Sequence, residues 1–333
     1  MTMMQAIQID RTGGPEVLRQ VTIERPVPGP GELLVKVEAC GINYADVVRR
    51  AGKPYPTPTP LPFVPGAEIA GTVVEAGEGV EGWKAGDRLI GLMDHGGYAE
   101  YALASAAAAI PIPAGLPAEL AAAIFIQGMT ALVALDDIAQ LAPGESVFIE
   151  GAAGGLGGLA VQIAGLLGAR RIVGGVGSQA KFAAVEALGG SPVIYEGDGW
   201  PQRTKQAGAG GGFDVALHMR GGGYFVEALE TLADHGRLIL YGNATGKPLD
   251  FDAQRMIGND PAIRPNVQVR GCYLPGFFNR PDVMERQFRR LMQWISEGSL
   301  KVQIGGVYPL AEAAAAHAAM ESRATTGKLL LKP

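Results

Sequence analysis

The chain has 333 residues, 47% hydrophobic and 18% charged, with 49 glycines, 23 prolines and two cysteines. That composition supports a sizeable core and roughly two domains of about 150 residues, which excludes a disordered chain, and the glycines, about twice ordinary usage, follow no three-residue repeat, which excludes collagen. A formal charge of −5 without a long basic run argues against nucleic acid or an acidic membrane surface as partner, and Cys40 and Cys272, far apart, exclude a disulfide framework and fit a reducing cytoplasm.

The opening MTMMQAIQIDR lacks a cationic region followed by an apolar stretch, so no signal peptide is expected. Residues 1–124 read as β-rich. In Glu32–Ala39, Leu33, Val35, Val37 and Ala39 alternate with Leu34, Lys36 and Glu38, the period of a half-buried strand. Short β-branched runs cut by Gly77, Gly79, Gly82 and Gly86 suggest tight turns in a barrel. The intervening KPYPTPTPLPFVPG is too rich in proline for a helix or a central strand. It is either an extended surface loop or the rim of a pocket.

From about residue 125 strands and helices alternate. Strands are expected at Ser146–Glu150, Arg171–Val176, Pro192–Tyr195, Phe213–Met219 and Arg237–Tyr241, with helices after the first strand and at Gln179–Leu188 and Tyr224–Ala233. Such βαβ units imply a parallel sheet covered on both faces. Beyond 272 come a helix around Val283–Glu297, a strand near Val302–Val307, a helix at Ala311–Glu321 and a last strand, Lys328–Leu331. The uncharged stretch Gly151–Ala169 has almost the length of a membrane span. Five of its seven glycines fall in the first eight positions, so it reads as a glycine loop feeding a helix, and no membrane association is expected.

That loop carries the strongest chemical signal. Gly155, Gly157 and Ala160 fit G-x-G-x-x-A between a strand and a helix. There glycine permits a tight turn and close approach of backbone to a pyrophosphate, and the helix N-terminus offers free N–H groups. Gly154, Gly155, Leu156 and Gly157 are therefore candidate cofactor contacts. An acid about twenty residues on would accept from a ribose 2′-hydroxyl, yet no acid follows until Glu186. Ser178 and Lys181 stand in that region, a hydroxyl and an ammonium suited to a 2′-phosphate. NADPH is the expected cofactor.

The segments VKVEACGINYADVVRRAG, VPGAEIAGTVVEAGEGV, AGDRL, GGYAEYAL, GMTA, GAAGGLGG, LILYGNATG and ESRATTGKLLL, in that order, resemble the zinc-free quinone oxidoreductases of the medium-chain dehydrogenase/reductase superfamily, which include zeta-crystallin. The resemblance implies an α/β protein. A GroES-like β-barrel catalytic domain (1–124 and 273–333) would surround an inserted Rossmann domain (125–272) with a doubly wound parallel sheet, usually in a homodimer. Positions that ligate zinc in metal-dependent relatives match Asn43, Ala67 and Ile126, and none of these side chains suits tetrahedral zinc. Hydride delivery to a quinone or an α,β-unsaturated carbonyl is the activity implied.

The resemblance also carries residues over. Asn43, Tyr44 and Asp46 match the segment beside the nicotinamide. Thr130, Gly242, Asn243 and Tyr273–Phe277 match further cofactor contacts, and Ser178, Lys181, Tyr195 and Arg323 match positions around the 2′-phosphate. Tyr55 matches a pocket tyrosine that hydrogen-bonds the acceptor oxygen, the alternative being an aromatic packed among prolines. Tyr55, Asn43 and Asp46 are the candidate catalytic residues. Two other readings stay open: an enoyl-thioester reductase, with Arg49, Arg50 and Lys53 as the cations for a CoA phosphate, and a non-catalytic NADPH-binding protein. The turn ALHMRGGG, with His218, Met219 and Arg220, departs from the family's usual acidic turn.

Overall fold

The structure is a computed structural model describing residues 2–333. The chain divides into two compact units, Met1–Phe125 with Ile304–Pro333, and Ile126–Gln303.

In the first unit, β1 (Met3–Gln8) pairs with β2 (Arg19–Glu24), and β3 (Glu32–Gly41) is followed by the short helix α1 (Tyr44–Arg50). Then come β4 (Glu68–Ala76), β5 (Arg88–Leu92), β6 (Tyr101–Ser105), β7 (Ile110–Pro111) and α2 (Ala118–Leu132). β3 is the centre, antiparallel to β4 and β6. Its predicted inward residues Leu33, Val35, Val37 and Ala39 are all buried, but so is Leu34, because β3 is covered on both faces. Helix α1 was not expected within a β-rich stretch. It is capped by Asp46, whose Oδ2 accepts from the Asn43 N–H at 2.8 Å.

α2 continues through a π-helical stretch to Ile138. Over Ala118–Ile138 it is long and apolar enough to cross a bilayer, yet 72% of its most apolar window is buried within the protein, as in a core helix.

The second unit contains β8 (Ser146–Glu150), α3 (Gly155–Leu166), β9 (Arg171–Val176), α4 (Phe182–Glu186), β10 (Ser191–Ile194), α5 (Trp200–Ala207), β11 (Phe213–His218), α6 (Tyr224–Glu230), β12 (Leu232–Leu240), β13 (Gln268–Gly271) and α7 (Pro281–Ser296). Its strands form a parallel sheet in the order β10-β9-β8-β11-β12-β13. In chain order that is 3-2-1-4-5-6, the doubly wound Rossmann arrangement. β12 starts earlier than its sequence suggests. Leu232 pairs with Phe213, and pairing then jumps to Arg237 opposite Val215. Ala233–Gly236 bulge out between them, with His235 at φ 61°, so turn-like residues interrupt the strand pattern.

The chain then returns to the first unit as β14 (Ile304–Pro309), α8 (Ala313–Glu321) and β15 (Lys328–Lys332). β15 pairs with the end of β3, Leu331 opposite Cys40. The expected return at 273 falls instead at 304. The segment between belongs with the second unit because α7 packs there: Leu291 abuts Gly128, and Gln287 Nε2 donates to Asp136 and Asp137 at 2.6 Å each.

Candidate active site

In the second unit, the expected cofactor residues gather at one edge of the parallel sheet. The glycine loop follows β8, Ser178 and Lys181 follow β9, Tyr195 follows β10, Gly242 and Asn243 follow β12, and Tyr273 and Phe277 follow β13. This is the carboxyl edge, where doubly wound sheets bind ligands at the switch in strand order. Thr130 lies elsewhere, within α2. It is buried, and its hydroxyl donates to Ile126 O at 2.6 Å.

The glycine loop fits a dinucleotide phosphate on steric grounds. A Cβ on Gly157 would stand 2.2 Å from Gly151 O, so backbone lies against backbone and only glycine is accommodated. A Cβ on Gly155 would meet Gln127 Oε1 at 2.0 Å. That oxygen is itself buried without a hydrogen-bond partner, packed against the glycine loop. Helix α3 begins at Gly155 with no side-chain cap, so its first N–H groups point out of the helix. Gly154, Gly155 and Leu156 remain partly accessible. Gln127 was not singled out from sequence, where a glutamine three residues before GMTA's threonine looks like any helix residue.

The unusual turn after β11 is locked from below. Glu150, the last residue of β8, is fully buried and accepts from the backbone N–H groups of Met219 and Arg220 and from Arg220 Nε and Nη2. His218 accepts the Gly221 N–H at Nε2 and places Nδ1 3.0 Å from Glu150. Burial alone would raise the Glu150 carboxyl, but His218, Arg220 and the Met219 N–H outweigh it and hold the group below its usual range. The Arg220 guanidinium also stacks on Tyr195, Trp200 and Tyr224, 4.0–4.6 Å from the ring centres. Tyr195 is thus buried in an aromatic cluster. The fold also brings an acid to the β9 edge that the sequence around β9 does not reveal. Glu196 Oε1 lies 3.3 Å from a Cβ placed on Gly177, the neighbour of Ser178.

In the first unit, Asn43 and Asp46 are 5% and 4% exposed. Lys328 Nζ donates to Asn43 Oδ1 at 2.7 Å and to Glu68 Oε2 at 3.0 Å. Asp46 accepts from the N–H groups of Asn43 and Gly66 and from the Tyr98 hydroxyl. Burial raises its carboxyl despite those donors. The chain of contacts continues from Tyr98 to His317 Nε2 at 2.9 Å, from His317 Nδ1 to Arg50 at 3.4 Å, and from Arg50 through two bonds to Glu321. The polar atoms of Asn43 and Asp46 are therefore spent on holding this segment. Tyr44, between them, is the exposed member. Its phenol is raised by partial burial and by Glu321 and lowered by Arg323 and Arg50, which puts the expected phosphate-binding Arg323 in its neighbourhood. Arg323 itself is exposed at φ 56°, a left-handed conformation that costs a non-glycine residue energy and often marks function.

Arg49 and Arg50 are not offered to a CoA phosphate. Both are buried and ion-paired, to Asp94 and Glu321 respectively. Tyr55 is half-buried, its ring 5.2 Å from the Arg49 guanidinium carbon.

The zinc implied by the superfamily does not fit this donor set. Asn43 and Ala67 stand at two ligand positions, and the Lys328 ammonium already lies between Asn43 and Glu68, where a divalent cation would meet like charge. Among the described residues no cluster of three histidine, cysteine or acidic side chains suits a metal.

Residues 29–114 match the family described as alcohol dehydrogenase GroES-like domain, and residues 188–331 match the one described as zinc-binding dehydrogenase. The probable quinone oxidoreductase of Schizosaccharomyces pombe is 32% identical over 331 residues, 98% of this chain and 96% of that protein. A mycobacterial protein solved in complex with NADPH superposes with a TM-score of 0.91 at 33% identity, covering 99% of this chain and 100% of that one. For Escherichia coli quinone oxidoreductase complexed with NADPH the TM-score is 0.89 at 30% identity, with the same coverage.

Proposed function

Since the chain belongs to the zinc-free quinone oxidoreductase branch of the medium-chain dehydrogenase/reductase superfamily, we propose that it is an NADPH-dependent reductase of quinones or α,β-unsaturated carbonyls. The observation that carries this reading is the gathering of the glycine loop, Ser178, Lys181, Gly242, Asn243 and Tyr273 along the carboxyl edge of one parallel sheet. When bound there, NADPH supplies the hydride.

The chain's own residues bind, orient and donate. The N–H groups at the start of α3 hold the pyrophosphate. Lys181 neutralises charge on the 2′-phosphate and Ser178 adds a hydroxyl bond to it. Asn43 and Asp46 are positioning residues that fix the segment carrying Tyr44. Tyr55 donates to the acceptor oxygen as negative charge develops, help worth about 10²–10⁴-fold where water is excluded. The phenol O–H is the donor such a bond needs. An acceptor already conjugated needs no Lewis acid, which suits a site whose cation is a lysine. The same reading gives a homodimer in a reducing cytoplasm. The edge strand β13 leaves Gln268, Val269 and Gly271 exposed for pairing, and both cysteines are buried and unpaired.

The test is NADPH absorbance loss with 1,4-quinones, 2-alkenals and enoyl-CoA esters, beside primary alcohols with NADP⁺, in wild type and Tyr55→Phe. Quinone or enal reduction without alcohol oxidation is expected, with a modest loss in the variant. Alcohol oxidation with no quinone or enal reduction would overturn the reaction class.

A further inference from the structure

The proline-rich segment has an ordered shape. Pro54, Pro56, Pro58 and Pro60 are exposed, while Tyr55, Thr57 and Thr59 between them are half-buried. That is the period of an extended ribbon with one inward face. The inward face packs on Arg49, which is 4% exposed. Arg49 Nη1 donates to the Asp94 carbonyl at 2.6 Å and to Asp94 Oδ1 at 3.1 Å. Nη2 donates to Pro58 O at 2.6 Å and to Asp94 Oδ2 at 3.0 Å, and Nε donates to Thr59 Oγ1 at 3.1 Å. Every guanidinium nitrogen is in use. The flat group also faces Phe63 at 4.5 Å and Tyr55 at 5.2 Å. Thr57 Oγ1 adds a bond to Asp94 Oδ1 at 2.8 Å.

One ion pair thus holds three consecutive residues of the ribbon, Thr57, Pro58 and Thr59, and one face of Tyr55. Partial burial raises the Asp94 carboxyl, but the bonds from Arg49 and Thr57 outweigh it and keep the group below its usual range, so the pair is intact at neutral pH. A lysine could not replace Arg49, because a compact ammonium cannot span a carboxylate, three further oxygens and two rings at once.

We propose that Arg49 and Asp94 are positioning residues for acceptor selection, fixing the ring of Tyr55 and the ribbon that carries it and thereby setting the width of the acceptor pocket. The proposal rests on the reading of Tyr55 as the donor to the acceptor oxygen. It differs from a purely structural role in one respect: loosening the pair acts through Tyr55, and differently on narrow and wide acceptors.

The experiment is a double-mutant cycle of Asp94→Asn and Tyr55→Phe, using 1,4-benzoquinone as the narrow acceptor and 9,10-phenanthrenequinone as the wide one. NADPH affinity is followed separately by quenching of protein fluorescence. Thr57→Val repeats the cycle with the ion pair left in place, for the case that Asp94→Asn folds poorly. The expected result is a KM for benzoquinone raised about tenfold, the effect of losing one charge-assisted bond, with kcat within about twofold and KM for the wide quinone unchanged or lower. NADPH affinity stays constant, and in the Tyr55→Phe background the KM effect shrinks to about twofold or less. Additive effects, equal changes for both quinones, or variants indistinguishable from an active wild type would overturn the inference and leave the reductase reading standing. A wild type that binds NADPH but reduces neither quinone would overturn both.

Discussion

Lys328 turns its ammonium onto the side-chain carbonyl of Asn43, 2.7 Å away, at a point where both residues are almost wholly buried. An ammonium only donates, so the amide of Asn43 has one orientation, with Oδ1 toward Lys328. Gly41 makes the room, since a Cβ there would stand 2.9 Å from Lys328 Cε and 2.7 Å from Glu68 Oε2. The segment before α1 is thereby held by an ion pair that shares its cation with Asn43.

Removing that cation takes the ammonium away from the buried Glu68 carboxylate. Lys328→Met should lose about 3–5 kcal/mol of stability, and Lys328→Met with Glu68→Gln should regain most of it. Urea denaturation of the two variants checks this. A double variant no more stable than the single would show that packing, not charge, dominates there.

Arg323 ends α8 in a left-handed conformation. Glycine adopts it without steric cost, so Arg323→Gly should raise stability by up to about 1 kcal/mol while weakening NADPH about 10- to 100-fold and leaving NADH nearly unchanged. Thermal denaturation and cofactor titration read both effects. Equal losses for both cofactors would remove Arg323 from the phosphate site.

Two side chains at the β9 edge should act in opposite directions on the same phosphate. Lys181→Ala should weaken NADPH about 10- to 100-fold. Glu196→Gln should strengthen it by several fold, about 1 kcal/mol, because a neighbouring carboxylate repels a dianion. NADH should respond little to either. Calorimetric titration of both cofactors measures the difference, and an unchanged NADPH affinity in Glu196→Gln would place that carboxylate away from the phosphate.

His317 governs the acid limb of stability. Burial first, and then the Arg50 charge, push its imidazole from 6.5 down to about 3. The unfolded chain therefore binds a proton between those values that the folded chain refuses. His317 contributes stability that is fully present above about pH 6.5 and lost as pH falls toward 3, an upper bound of about 5 kcal/mol. Asp46, raised by burial, has the opposite sign: its contribution is present below the usual carboxylate pKa and is lost as pH rises through its raised value. Because Asp46 is common to both proteins, comparing wild type with His317→Gln isolates the histidine. The variant should show the flatter loss in urea midpoint between pH 6.5 and 4, and parallel curves would contradict the assignment.

Much of the second unit was legible because its signals are local. The expected strand Ser146–Glu150 became β8 residue for residue, and the glycine spacing located the turn that only Gly157 fits. The first unit was less legible because its decisive contacts are distant in sequence. Lys328 reaches Asn43 across 285 residues and Glu68 across 260. The adjacent Arg49 and Arg50 looked like one cationic patch, yet the fold sends them to Asp94 and Glu321, 45 and 271 residues away. Helix α1 has only seven residues, too few for a 3.6-residue period to register.

The central claim is hydride transfer to a conjugated carbon, and isotope placement tests it most directly. The protein should be supplied with NADPH deuterated at the reactive nicotinamide C4 position and with a 2-alkenal, and the product examined by NMR. The account predicts a saturated aldehyde with deuterium on the β-carbon. Deuterium on the carbonyl carbon of an allylic alcohol would contradict it.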